Sequence, residues 1–364
     1  MTHTDSTPIG ERTLRSLSVP GNLLLFGEYA VLEEGGLGIA CALAPHVEVR
    51  VRPSSGFSIS GRLGAQSYRF SSADGTETGG FLGAVASYLE SRLESGGRSL
   101  SELDVHIDID SSAFLAASGR KRGFGSSAAA TVGLCEAVCD AVGMPEGDTS
   151  GAGGDGAGPR GKTRSGPAPG CGSGPAPGAA RFTLAVEAHR SAQGGRGSGY
   201  DVAASYYGGL GLFRGGAAPE LEPISLPWLP ALSLYETGVT ESSARAVARY
   251  TSWKAEHPEA AREFRARSNR LVSALVEETT WDAAREIVFA LTRHGVELGQ
   301  AIGVPAEVEK PDIADSDASV CKAVGAGAEL ALCFGLEPDP QRATSGSVDA
   351  LRAVDIDWEG CRWY

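Results

Sequence analysis

In LDVHIDID (103–110), Leu103, Val105, Ile107 and Ile109 alternate with polar residues, which predicts a half-buried strand with one apolar face. Phe81, Leu82, Val85, Tyr88, Leu89 and Leu93 recur at helical spacing and predict a helix over 80–95. VEVRV (47–51) is a second alternating run, and residues 12–60 as a whole read as strands and turns. A helix is expected from near Ser126 toward Val142, another over 181–194, and a strand at 209–214. Helical patterns then run over 240–277 and 280–301, followed by short apolar runs at 328–334 and 352–358 that fit strands. No internal repeat is present.

Two segments interrupt these patterns. Gly and Pro make up more than half of 151–180, where large apolar residues are nearly missing. Such a stretch buries too little surface to order itself, so 146–180 reads as a flexible insertion in a surface loop. The Pro-rich stretch 218–230 reads as a domain junction, giving units at 12–217 and 218–364.

Composition narrows the class of partner. The chain has 364 residues, 42% hydrophobic and 21% charged, enough for an ordinary core. Its net charge of −13 argues against a nucleic-acid partner, which calls for a basic surface. The polar N-terminus does not read as a secretory signal, and no run of about 18 apolar residues suggests a membrane span. The seven cysteines contain no CxxC pair. Cys135 and Cys139 share a helix face and read as buried free thiols, so the cytoplasm is the expected compartment.

Two motifs match by letter and fail by context. Residues 156–163 fit the P-loop pattern GxxxxGK[ST], but Gly/Pro-rich flanks supply neither the strand nor the helix it requires. Residues 123–128 fit GxGxxA, yet a basic segment precedes them, and no strand ending in an acid follows about 20 residues later.

Three segments carry chemistry. In GRKRGFGSSAAATVGL (119–134), glycines 123 and 125 permit a tight turn just where a helix starts at Ser126 and Ser127. Helix N-terminal amides attract anions, and Arg120, Lys121 and Arg122 add positive charge, which together describes a triphosphate cradle. In VPGNLLLFGEYAVLEEGG (19–36), an apolar strand runs into Gly27, Glu28 and Tyr29, placing a carboxylate just past a strand end. In AHRSAQGGRGSGYDVAASYYGG (188–209), Asp201 follows a glycine-rich turn and suits either a general base or a helix-capping role.

In this order the three segments resemble the GHMP kinases, and the third is most similar to the phosphomevalonate kinase branch. The resemblance covers most of 18–215 outside the insert. It implies an α/β (α+β) two-domain fold, with a ribosomal protein S5 domain 2-like N-terminal part and a ferredoxin-like C-terminal part. It also implies ATP and Mg²⁺, with phosphomevalonate as the small-molecule substrate, in a monomer or homodimer. Carried over by motif, Gly123, Phe124, Gly125, Ser126, Ser127 and Ala128 would bind ATP together with Gly325 and Gly327. Asp201 and Lys121 would be catalytic. Glu28, Tyr29, Ser198, Gly199 and Arg196 would meet the acceptor, and Ser127 and Glu187 the metal. Arg120, Lys121, Arg122, Arg190 and Arg196 offer cations for an acceptor phosphate and carboxylate.

The match has two gaps. Asn22 stands where the family has a lysine, which would leave Lys121 to supply the charge. The third family motif survives only as KAVGAGAELALC (322–333), in which Glu329 is the acid left to stand in for its aspartate. The alternatives are another kinase of the superfamily, such as a mevalonate kinase, or a non-catalytic member that binds nucleotide or metabolite.

Overall fold

The alternating runs assemble into one large sheet. The computed structural model describes residues 14–63, 66–71, 80–116, 119, 121–144, 179–239, 242–309, 319–336 and 351–364. The insert expected at 146–180 lies outside them except for its last two residues, as do the P-loop look-alike and Arg120.

The first half supplies β1 (Arg15–Phe26), β2 (Leu37–Pro53), β3 (Ser58–Leu63), β4 (Gln66–Ser71), α1 (Phe81–Ser95), β5 (Val105–Asp110), α2 (Ser126–Ala141), α3 (Ala179–Ala192), α4 (Tyr200–Tyr207) and β6 (Leu210–Arg214). The second supplies β7 (Glu220–Pro223), β8 (Leu232–Glu236), α5 (Ser243–Glu256), α6 (Pro258–Glu277), α7 (Trp281–Ile302), β9 (Val320–Val324), β10 (Leu330–Phe334), β11 (Arg352–Ala353) and β12 (Arg362–Trp363). The main sheet runs β12-β1-β2-β5-β3-β4. β2 is long enough to pair twice on one side, with β6 along Leu37–Cys41 and with β5 along Glu48–Pro53. A second sheet runs β11-β8-β10-β9.

Helix α2 packs on β1 and β2 and is surrounded by α1, α3 and α4. Every residue from Ala128 to Cys139 is buried, so the small residues Ala128, Ala129 and Ala130 serve close packing rather than an amphipathic face. Inside this layer Arg181 donates to Glu136 at 2.8 Å, and Tyr206 donates to the other oxygen of the same carboxylate at 2.9 Å. That satisfies a charge which burial alone would make costly. The two sheets meet through an aromatic stack. Phe26 lies 5.3 Å from Phe334, Phe334 lies 6.0 Å from Trp281, and Trp281 lies 6.0 Å from Trp228.

Several expectations are corrected. The helical pattern over 240–277 is two helices, because Pro258 cannot continue α5 and instead opens α6 at its first position. The run 352–358 forms a strand only at Arg352–Ala353, after which Ile356 makes a single bridge to Leu43. Cys321 and Cys333, directly opposite on β9 and β10, are disulfide-bonded, so not all the thiols are free; Cys135 and Cys139 are free and buried as expected. The main sheet takes strands from both sides of 217/218, since β7 pairs with β6 and β12 with β1. Among the described residues, no helix is long and apolar enough to cross a membrane.

Candidate functional site

The first glycine loop ends at the start of α2. Gly125 is the residue before the helix and is left-handed, at φ 69°; Gly123 has φ 76°. A Cβ on Gly125 would stand 2.1 Å from the Asn22 amide nitrogen, and one on Gly123 would stand 2.9 Å from Leu330 Cδ1. Conformation therefore favours glycine at both positions, and at Gly125 the fixed Asn22 side chain leaves no space for a Cβ as well. No side chain caps α2, so the first-turn amides of Ser126, Ser127 and Ala128 are left by helix geometry for an outside acceptor. Phe124 is buried, and its carbonyl accepts from the Asn22 backbone N–H at 3.0 Å. Lys121 is exposed, while Arg122 donates through Nε to the Leu115 carbonyl.

Asn22 is more than a missing lysine. Its side chain is buried, and Nδ2 donates to the Gly125 carbonyl at 3.3 Å and to Ser205 Oγ at 3.0 Å. Ser205 lies one helical turn beyond Asp201 on α4, so one amide ties the glycine loop to the helix that carries the candidate base. Asp201 sits in the first turn of α4 with its side chain 23% exposed. Its Oδ1 accepts from the Val202 N–H at 2.9 Å, and its Oδ2 lies 3.8 Å from Nε2 of the buried His189. Burial pushes the Tyr200 phenol upward, and the charges of Asp201 and Glu28 add to the shift.

The turn before α4 is organised by Arg190. Its guanidinium donates to the carbonyls of Gly197, Ser198, Gly216 and Ala217 at 2.7 to 3.0 Å. Arg190 is therefore corrected from a substrate contact to a loop clamp, and burial lowers its pKa while Asp201, Glu187 and Glu34 oppose that shift. Ser198 and Gly199 are buried in the clamped turn, and Arg196 is exposed on it. Arg190→Met should lower unfolding free energy by about 1–2 kcal/mol, since four carbonyls, part-buried or exposed, lose a charged donor. Arg190→Lys should recover less than half of this, because an ammonium cannot reproduce the planar fork. Urea denaturation checks both.

Glu28 and Tyr29 have partners inside the protein. The Glu28 carboxylate is held by Lys322, and the Tyr29 hydroxyl donates to the Ala326 carbonyl at 2.6 Å. Burial lifts the Glu28 carboxyl above its ordinary range, and the Lys322 ammonium works against that lift. Ala326 lies in the turn between β9 and β10 with Gly325 and Gly327, and Gly325 faces open space. Glu187 accepts from Tyr88 at 2.7 Å, with Arg92 at 4.0 Å, so its carboxylate is turned to α1. Among the described residues, no three His, Cys, Asp or Glu side chains converge as a metal cage.

Three residues of this site went unread in the sequence: Lys322, Ser205 and His189. For Lys322 a signal existed, because VCKAV alternates and places the lysine on the same strand face as Val320 and Val324, both buried. A groove of about 640 Å³ opens on the outer face of β3, β4 and β5, lined by Ser60, Arg62, Ser67, Arg69, Asp108 and Asp110; no site residue borders it.

No protein-family model and no curated protein sequence matches the chain. Solved structures do match in fold. A Lin0012 protein from Listeria innocua superposes with a TM-score of 0.70 at 19% identity, covering 97% of this chain and 99% of that one. A Streptococcus pneumoniae phosphomevalonate kinase in complex with phosphomevalonate and AMPPNP gives 0.63 at 15% identity, covering 88% and 92%. An L. major mevalonate kinase in complex with R-mevalonate gives 0.60 at 16%, covering 96% and 97%. The chain thus has the mixed α/β fold of the GHMP kinases, as its motifs implied.

Proposed function

We propose that this chain transfers the γ-phosphoryl group of ATP to phosphomevalonate, giving ADP and diphosphomevalonate, and that it works in the cytoplasm. The observation that carries the reading is the Asn22 bridge. One buried amide holds both a glycine loop at a helix N-terminus and the helix bearing Asp201. Phosphoryl transfer asks chiefly for positioning and charge stabilisation, and this arrangement supplies a fixed anion cradle beside a fixed carboxylate.

In this reading the loop from Gly123 to Ala128 takes the triphosphate on its backbone amides, and the dipole of α2 favours the negative charge. Lys121 steadies the group in transfer. Asp201 orients the acceptor oxygen or accepts its proton. Ser198, Gly199 and Arg196 line the acceptor side, and with Arg190 occupied, the exposed Lys121 and Arg196 are the cations assigned to that task. Glu28 and Tyr29 shape the site from behind through Lys322 and Ala326. Mg²⁺ would neutralise phosphate charge when bound; it takes few protein ligands, which suits a site offering the Ser127 hydroxyl. Glu187, engaged by Tyr88, is the weaker candidate ligand.

The structural likeness to phosphomevalonate and mevalonate kinases supports the class and leaves the acceptor to experiment. Asn22 in the lysine position favours one rival, a nucleotide-binding member without turnover. The test is ADP release with Mg²⁺-ATP, offering phosphomevalonate and mevalonate separately. Release with phosphomevalonate alone is expected. Release with mevalonate alone would keep the mechanism and move the substrate. Silence with both, in protein that binds ATP, would favour the non-catalytic reading.

A further inference from the structure

Lys322 is a lysine in the middle of a strand, only 4% exposed. Its ammonium has three donors and meets three acceptors: the carbonyls of Leu25 at 2.9 Å and Ala323 at 2.8 Å, and the Glu28 carboxylate. The nitrogen also lies 5.4 Å from the centre of the Phe26 ring. Every group it touches except Ala323 belongs to the end of β1 or the turn after it. One residue on, Tyr29 holds a left-handed backbone at φ 63°, a strained conformation for a side-chain-bearing residue, and donates to Ala326. Tyr29 itself is packed against Tyr250, with ring centres 5.3 Å apart. On the other flank of the same turn, Leu330 rests on Gly123 of the first glycine loop.

We infer that Lys322, Glu28 and Tyr29 are positioning residues that fasten the β9–β10 turn, Gly325 to Gly327, to the end of β1, with Leu330 resting on the first glycine loop, so that nucleotide affinity depends on them. The inference deepens the kinase reading and rests on it for its second half. The fastening itself stands on geometry alone. A lysine whose three donors are all bonded to protein, one of them to a carboxylate, has no donor left for substrate, so its role is to hold. Glu28 is engaged in the same contact, one of its carboxylate oxygens accepting from the ammonium.

The test compares the wild-type protein with Tyr29→Phe and with the double variant Lys322→Met/Glu28→Gln. The double variant removes both charges together, because a single substitution would strand the other charge in the interior and could unfold the chain. Amide hydrogen exchange is read at 325–330, with α7 as internal reference. Exchange of the turn should rise at least about tenfold in both variants while α7 stays protected, as expected for local opening. In steady-state kinetics KM for ATP should rise about tenfold, with KM for the acceptor nearly unchanged, a split that general destabilisation would not produce. Folded variants with unchanged exchange at 325–330 would overturn the fastening. Faster exchange with unchanged ATP affinity would overturn its link to nucleotide. If the wild-type protein binds no ATP at all, the kinase reading falls, and the exchange result alone decides the fastening.

Discussion

Asp201→Asn is expected to lower kcat by roughly 10²-fold or more, the contribution a positioned acid–base group commonly makes. The substitution is nearly isosteric. Asparagine can keep the Oδ1 contact with the Val202 N–H, and the bridge from Asn22 to Ser205 does not involve the carboxylate. What is lost is the negative charge at Oδ2, which faces His189. Stability should fall by only about 0.3–1 kcal/mol, the usual worth of an acid in the first turn of a helix. The measurement pairs turnover with thermal unfolding. A collapse of kcat in a protein that unfolds near the wild-type temperature identifies Asp201 as part of the chemistry. Undiminished turnover would remove it and leave it as an acid in the first turn of α4, whose N-cap is Gly199.

Periodicity made the local elements legible. The spacing of Phe81 to Leu93 gave α1 within a residue at either end, and the alternation in LDVHIDID became β5, with Val105, Ile107 and Ile109 buried. The strands β8 and β9 were not foreseen, and β10 was foreseen only as a short apolar run. Five-residue strands carry few periods, and their identity comes from partners distant in the chain. The same limit applied to the site. Glycines 123 and 125 announce themselves because the conformation they need is local. The partnership of Lys322 with Glu28 spans nearly the whole sequence and is written in no motif. Arg190 read as a substrate cation because composition reports its charge, whereas its four carbonyl acceptors are set by how two loops meet. Asn22 read as a loss because a charge was expected there, and only the packing of β1 between the glycine loop and α4 gives its amide a purpose.

Gly125→Ala should be the most damaging small substitution in the site. A left-handed conformation costs an alanine about 1–2 kcal/mol. The new methyl would also stand 2.1 Å from Asn22 Nδ2 and 2.3 Å from Oδ1. Asn22 cannot swing away without breaking its bonds to Gly125 and Ser205, and forced overpacking of this kind costs about 1–3 kcal/mol. The sum is a loss of about 2–5 kcal/mol in unfolding free energy, with ATP affinity reduced more than tenfold because the loop amides are displaced. Asn22→Ala alone should cost about 1–2 kcal/mol through its two hydrogen bonds. The double variant separates the causes. With the amide gone the methyl has room, so the two losses should fall short of additive by about 1 kcal/mol or more. Denaturant unfolding of the three variants reads this coupling, and isothermal titration with ATP reads its consequence. Simple additivity would mean that Asn22 does not stand behind Gly125, and the bridge joining the phosphate cradle to Asp201 would lose its support.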